Sequence, residues 1–364
     1  MPTPVRLGFV PLVDCAIPVV ALELGFARGE GLDLKLEREA SWAAMRDKLA
    51  YGVLDAAHML AGLPLAATLG IGGAPPVPMW APMALGLGGN AITVSTALYQ
   101  RMVEADPEAM RGPRSGSARA LARVVRDHLA AGRPPLSFAS VFPVSSHNYE
   151  LRYWLASAGI DPDRDVNLGV VAPSRMVENL GMGWIDGYCV GEPWNLRAVQ
   201  TGKGVVVATK ADIWPNSPEK VLGLRASWAG DNAGTVAALV RALVRAAQWA
   251  DDPGNRAELA TMLAAGRYVG VPTGILRMAL EGRPVLRPGA APEHLPDLHV
   301  FYRWQATFPW TSHAVWLLTQ MVRWGQLTPD VDFAAAAARV YRPDIYRAAV
   351  APLGIDVPAE DTRV

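Results

Sequence analysis

Five positions place a hydrogen-bond donor where an apolar segment meets a turn: Trp42, Asn90, His147, Gly191 and Lys220. Trp42 follows Ser41 at a helix start, and its indole N–H donates but cannot accept. The same indole is equally ordinary core material. Asn90 follows the run Gly86-Leu-Gly-Gly and opens an apolar strand, a place where Asn also serves simple turns. His147 lies just inside a helix start after Ser145 and Ser146. Free N–H groups and the positive end of the helix dipole make such a place an anion site, although capping alone explains the serines. Gly191 ends an apolar strand, where the missing Cβ lets a ligand reach the backbone N–H; a plain turn glycine fits as well. Lys220, in Ser-Pro-Glu-Lys-Val, reads equally as a surface lysine.

Catalytic signatures are missing from the sequence. There is no GxSxG elbow, no P-loop, no HExxH, and no GxGxxG between a strand and a helix. The two cysteines, Cys15 and Cys189, stand in unrelated contexts with no CxxC or Cys/His spacing. Neither a zinc site nor a disulfide framework is expected. The expectation is therefore a binding protein, not an enzyme, with no metal and no cofactor.

The elements that must position these residues read as alternating strands and helices. Val5–Val10 is a short apolar strand, 17–27 has helical spacing, and 32–37 alternates Leu with charged residues at period two. Ser41 is an N-cap signal for the following helix. Residues 55–59 read as a short strand at a sheet edge, and 72–90, rich in Gly and Pro, as loop. The strand 91–94 leads into a second set: helix 119–131, strand 136–141, helix 146–158, strand 166–171, helix 174–180 and strand 185–190. Strand 205–209 is the return crossing. The remainder is mainly helical, at 233–250, 256–265 and 333–350. This order predicts an α/β fold of two lobes, with residues 1–92 plus 208–364 forming lobe I and 93–207 forming a smaller lobe II. Such lobes close over a ligand by hinge motion, with the site in the interlobe cleft.

Composition supports this plan. The chain has 364 residues, 51% of them apolar, enough for two cores of ordinary size. Lys plus Arg and Asp plus Glu are 34 each, so the formal net charge is zero. A neutral chain does not favour direct nucleic-acid or membrane-surface binding. The arginines at 111, 114, 119, 123 and 126 read as a solvated helix face. Strand-like sequence begins at Val5 with no export signal before it, and no apolar run is long enough to span a bilayer. The expected location is the cytoplasm.

Leu7-Gly-Phe-Val-Pro-Leu-Val-Asp-Cys-Ala16 and Arg38-Glu-Ala-Ser-Trp-Ala-Ala-Met-Arg-Asp-Lys48 resemble the nitrate- and bicarbonate-binding family of transporter solute-binding proteins. So do Asp55-Ala-Ala-His-Met59, Gly89-Asn-Ala-Ile-Thr93, Arg152-Tyr-Trp-Leu155, Gly187-Tyr-Cys-Val-Gly-Glu-Pro-Trp-Asn195 and the stretch from Phe308 to Gly325. The resemblance spans nearly the whole chain. It implies the type II periplasmic-binding-protein fold, with a helical C-terminal region, and an anion site made from Trp42, Asn90, His147, Gly191 and Lys220. At Asn90 the transport proteins are expected to have Gln, one methylene longer. Bicarbonate-binding members carry an acidic residue in place of Lys220 that helps to hold calcium, so Lys220 implies nitrate or nitrite without metal.

Nitrate has three acceptor oxygens and no donor. The implied set offers donors only, with Lys220 as its one formal cation and no carboxylate. Glu192 is expected to point away or to order its loop. Without an export signal the chain resembles the cytoplasmic NasS-type sensors, which sequester a NasT-type RNA-binding antiterminator and release it when nitrate or nitrite binds. The alternatives are the binding component of an ABC transporter and, less favoured, an enzyme on the same fold.

Overall fold

The computed structural model describes residues 1–73 and 75–363. The chain divides into two compact units. The first holds Met1–Leu87, Pro218–Thr273 and His299–Val364, and the second Gly88–Ser217 and Gly274–Leu298.

The first unit is built on a five-stranded mixed sheet. Its strands are β1 (Thr3–Phe9), β2 (Leu32–Arg38), β3 (Ala56–Leu60), β4 (Met79–Ala84) and, returning late in the chain, β11 (Lys220–Arg225), in the order β2-β1-β3-β11-β4. β1 runs parallel to β2 and β3, whereas β11 is antiparallel to β3 and β4. In β2, Leu32 and Leu34 are buried while Asp33 and Lys35 face water, the alternation of a strand with one covered face. β3, expected at an edge, is central. All five of its residues are buried, and β11 supplies the neighbour that its local sequence does not announce.

β4 lies inside the stretch expected to be loop. It is the edge strand, where Pro82 removes no ladder hydrogen bond that the sheet needs. The helix Trp42–Ala50 is capped by Ser41, whose Oγ accepts from Ala44 N at 3.2 Å. The tail expected as one helix over 333–350 is two, Phe333–Val340 and Pro343–Val350. Pro343 lacks an N–H and so begins a helix but cannot continue one.

The second unit carries β6 (Asn90–Ser95), β7 (Ser137–Ser140), β8 (Asn167–Val170), β9 (Gly187–Gly191) and β10 (Gly204–Thr209), in the order β10-β6-β9-β7-β8. β6 is antiparallel to both neighbours, and β7 is parallel to β8 and β9. The helices Ser117–Ala130 and Ser146–Ser157 cover the sheet. Leu121, Val125, Leu151 and Trp154 meet Ile92, Phe138, Cys189 and Val207 in one core. The division at residue 87 falls within the two-residue β5 (Leu87–Gly88). Gly88 and Gly89 have φ of +82° and +87°, and a Cβ on Gly88 would meet the Leu298 carbonyl oxygen at 2.6 Å. Glycine is therefore required where the chain turns into β6.

The expected boundaries, 1–92 plus 208–364 and 93–207, differ from this division at three places, the first being residues 88–92, which belong to the second unit. The helix Lys210–Ile213 and the residues up to Ser217 stay with the second unit. Residues 274–298 also join it, through contacts such as the Val206 N–H to the Leu286 carbonyl at 2.9 Å. No helix among the described residues is long and apolar enough to cross a membrane.

Candidate functional site

In the first unit the structure brings Trp42 and Lys220 together. Lys220 opens β11 opposite Leu60, the last residue of β3, and its side chain is fully buried. Its Nζ lies 5.3 Å from the centre of the Trp42 ring, a cation–π distance. The Trp42 indole is buried, and its Nε1–H meets no acceptor among the described residues.

Two carboxylates missing from the sequence-based set hold the ammonium. Lys220 Nζ donates to Asp14 Oδ2 and to Glu219 Oε1, each at 2.6 Å. Burial alone would lower the Lys220 pKa, but Asp14 and Glu219 outweigh it and the net shift is upward. The lysine is therefore charged, and beside two carboxyl groups it is not a lone formal cation. It still has a third N–H to give.

His58, in the middle of β3, is fully buried, with Nε2 3.3 Å from Asp14 Oδ1. Burial pushes its pKa down to about 4, against the pull of Asp14, so the ring is neutral near pH 7. The cluster made by Trp42, Lys220, Asp14, Glu219 and neutral His58 thus has a formal charge of −1. Asp14 stood in the opening motif and Glu219 beside Lys220. Their convergence needed the fold to be visible.

In the second unit Asn90 and Gly191 are register partners, the first residue of β6 against the last of β9. Asn90 Nδ2 donates to Glu150 Oε2 at 3.1 Å. Glu150 Oε1 lies 2.9 Å from Lys210 Nζ, and Cys189 Sγ approaches Glu150 Oε2 at 3.8 Å. All four residues are buried. His147, also buried, sits three residues before Glu150 in the helix Ser146–Ser157, so both project from one helix face. Ser145 caps that helix by accepting from Asn148 N at 3.1 Å.

Glu192 Oε2 accepts from Leu196 N at 3.1 Å, which ties the turn after β9 to the helix Trp194–Gln200. Burial pushes the Glu192 carboxyl up to about 8. Glu150 and Lys210 carried no sequence motif of their own. The one signal was the spacing of three between His147 and Glu150.

Burial raises the Cys15 thiol pKa, so it is no thiolate nucleophile. Among the described residues no group of three or more His, Cys, Asp or Glu is placed to hold a metal ion.

Known proteins resemble the chain along almost its whole length. The NMT1-like family matches residues 1–264. The chain is 41% identical over 349 residues to the nitrate import ATP-binding protein NrtC of Synechocystis sp. strain PCC 6803, covering 96% of this chain and 50% of that protein. It thus spans about half the length of that relative. The nitrate/nitrite binding protein NrtA of Synechococcus elongatus is 35% identical over 369 residues, which cover 99% of this chain and 80% of that one. The crystal structure of the periplasmic nitrate-binding protein NrtA from Synechocystis PCC 6803 superposes with a TM-score of 0.91 at 30% identity, over 100% of this chain and 92% of that chain. The chain belongs to the NMT1-like family and has the periplasmic-binding-protein-like fold of two α/β lobes.

Proposed function

We propose that the chain binds nitrate or nitrite, with Trp42, Asn90, His147, Gly191 and Lys220 as its contacts. The observation that carries this reading is the buried indole N–H of Trp42, without an acceptor among the described residues, beside the buried ammonium of Lys220. Donors held away from water favour an anion made only of acceptor atoms. The relatives whose names state nitrate or nitrite binding support the same ligand class. Asp14 and Glu219 refine it: a cluster of net charge −1 tolerates a monovalent anion bound through oriented N–H groups better than a divalent one. Calorimetric titration with nitrate, nitrite, bicarbonate, sulfate and an alkanesulfonate tests the reading. Binding of nitrate or nitrite, with sulfate excluded, is expected. Binding of bicarbonate or the sulfonate without nitrate would refute it.

In its finer form, the proposal is a cytoplasmic sensor that holds a NasT-type RNA-binding antiterminator and releases it when the anion binds. Ligand-linked release needs only that the anion and the partner favour different conformations. The transport-related names of the relatives favour a second reading, the binding component of an ABC transporter. Mixing the protein with a NasT-type antiterminator separates the two. A complex that falls apart on adding nitrate supports the sensor, and no complex at all supports the transport component.

A further inference from the structure

The second unit holds a cavity of about 410 Å³ that none of the proposed nitrate contacts lines. Its volume falls within the roughly 300–1,000 Å³ of ordinary small-molecule sites. One wall is β10, the edge strand of the sheet, at Val206 and Val207. Another is the irregular segment after the helix Thr273–Leu280, which contributes Leu286, Arg287 and Glu293. Hydrogen bonds fix these walls. The Val206 N–H donates to the Leu286 carbonyl and the Glu293 N–H to the Pro284 carbonyl, each at 2.9 Å. Ser117 Oγ donates to the Val207 carbonyl, also at 2.9 Å.

Three arginines line the cavity, and they are not equivalent. Arg114 is taken up by the protein itself: Nε donates to Asp212 Oδ2 at 2.9 Å and Nη1 to Glu293 Oε2 at 2.5 Å. Among the described residues the Arg111 side chain meets no carboxylate, and Arg287 meets only Tyr99 Oη, at 3.4 Å. The three guanidinium groups therefore outnumber the two carboxyl groups beside them. A single hydrated arginine on a surface is ordinary. Two that line one walled cavity form a donor set for an anion, and each planar fork matches one carboxylate through two parallel N–H···O bonds. Val206, Leu286 and Met110 add an aliphatic lining, which a carbon chain covers and an inorganic ion does not.

We propose that this cavity binds a short-chain dicarboxylate, with one carboxylate on Arg111, the other on Arg287, and the carbon chain against Val206 and Leu286. Tyr99 Oη lies beside Arg287 as a further donor. The site shares no residue with the nitrate reading and stands without it.

The test is calorimetric titration of the full chain with disodium succinate, disodium glutarate, sodium acetate and sodium phosphate. Ionic strength is held constant, because exposed charges are screened by salt. Saturable one-to-one binding of succinate or glutarate is expected at about 1 mM or tighter, with acetate and phosphate at least about tenfold weaker. No dicarboxylate binding up to about 10 mM, or phosphate binding as tightly as the dicarboxylates, would overturn the proposal.

Two double variants locate the ligand. Arg111→Gln/Arg287→Gln removes both forks, and Arg111→Lys/Arg287→Lys keeps the charge while removing the fork geometry. Both residues are exposed, so the melting temperature should move by no more than about 2 °C. Affinity for the dicarboxylate should fall at least about tenfold in each. Undiminished binding by the glutamine variant would place the ligand elsewhere. Undiminished binding by the lysine variant would reduce the attraction to charge alone. Either result overturns the proposed site.

Discussion

Replacing Lys220 by Met tests the charge cluster of the first unit without reference to any ligand. The substitution keeps most of the volume and removes the ammonium. In the wild type, Nζ makes two charge-assisted hydrogen bonds of 2.6 Å, to Asp14 and Glu219, and all three side chains are buried. Both carboxylate oxygens lie within 2.6 Å of one nitrogen, so they stand no more than about 5 Å apart. Without the cation they are two like charges in a dry site. Removing one partner of a buried ion pair costs about 3–5 kcal/mol, and Trp42 loses its cation–π contact as well. At roughly 2–4 °C per kcal/mol for a unit of this size, the melting temperature falls by about 10 °C.

The pH dependence gives the sharper check. The pKa of Lys220 is raised on folding, so its contribution is complete below the ordinary lysine value and is lost only as pH rises through the raised one. Wild-type stability owes Lys220 the same amount from pH 5 to 9. In the variant the carboxylates are the strained groups. Protonating either one relieves their mutual repulsion, so the penalty fades as pH falls. Urea unfolding at pH 7.5 and 5.5 measures both quantities. A deficit below about 1 kcal/mol at pH 7.5, or one that does not shrink at pH 5.5, would refute the account.

Two further pH effects follow from buried groups. His58 and His299 are held neutral by burial, with pKa values lowered to about 4 and about 3. The unfolded chain binds protons at these sites below about pH 6.5, so stability falls with falling pH, by up to about 1.4 kcal/mol per pH unit for each histidine between pH 6 and 4. His58→Gln should roughly halve that slope in urea unfolding, and parallel curves for variant and wild type would exclude the assignment. Glu192 has the opposite sign. Its folded pKa is raised to about 8, so its contribution is full below about pH 4.5 and is lost as pH rises through 8. Glu192→Gln, which keeps an acceptor for Leu196 N, should gain stability over the wild type between pH 6 and 9. An unchanged difference across that range would count against a buried, protonatable Glu192.

Local pattern was enough for most elements. The period-two run of β2, the Ser41 cap and the apolar runs that became β1, β6, β9 and β10 all form from residues within one segment, and each stands within a few positions of its expected place. The misjudged elements depend on partners far along the chain. β3 is central because β11, some 160 residues later, pairs with it. β4 forms from a Pro- and Gly-rich stretch because β11 also offers it a free edge. Residues 274–298 join the second unit by contacts that no periodicity encodes.

The same division runs through the candidate site. Residue type and neighbours offered Trp42, Asn90, His147, Gly191 and Lys220 as possible donors, each with an ordinary structural reading beside it, and the family resemblance joined them into one set. The charge balance around them was not legible. Lys220 reads as a lone cation in sequence, and only the folded sheet sets Asp14, 206 residues away, against its ammonium. Asn90 reads as a free donor, and only the packing of its helix on β6 and β9 brings Glu150 to its amide. A segment specifies which groups are present and which way they face along their own element. Whether a buried charge is paired depends on a Coulomb term that decays over a few ångströms, and such distances exist only after distant segments have met.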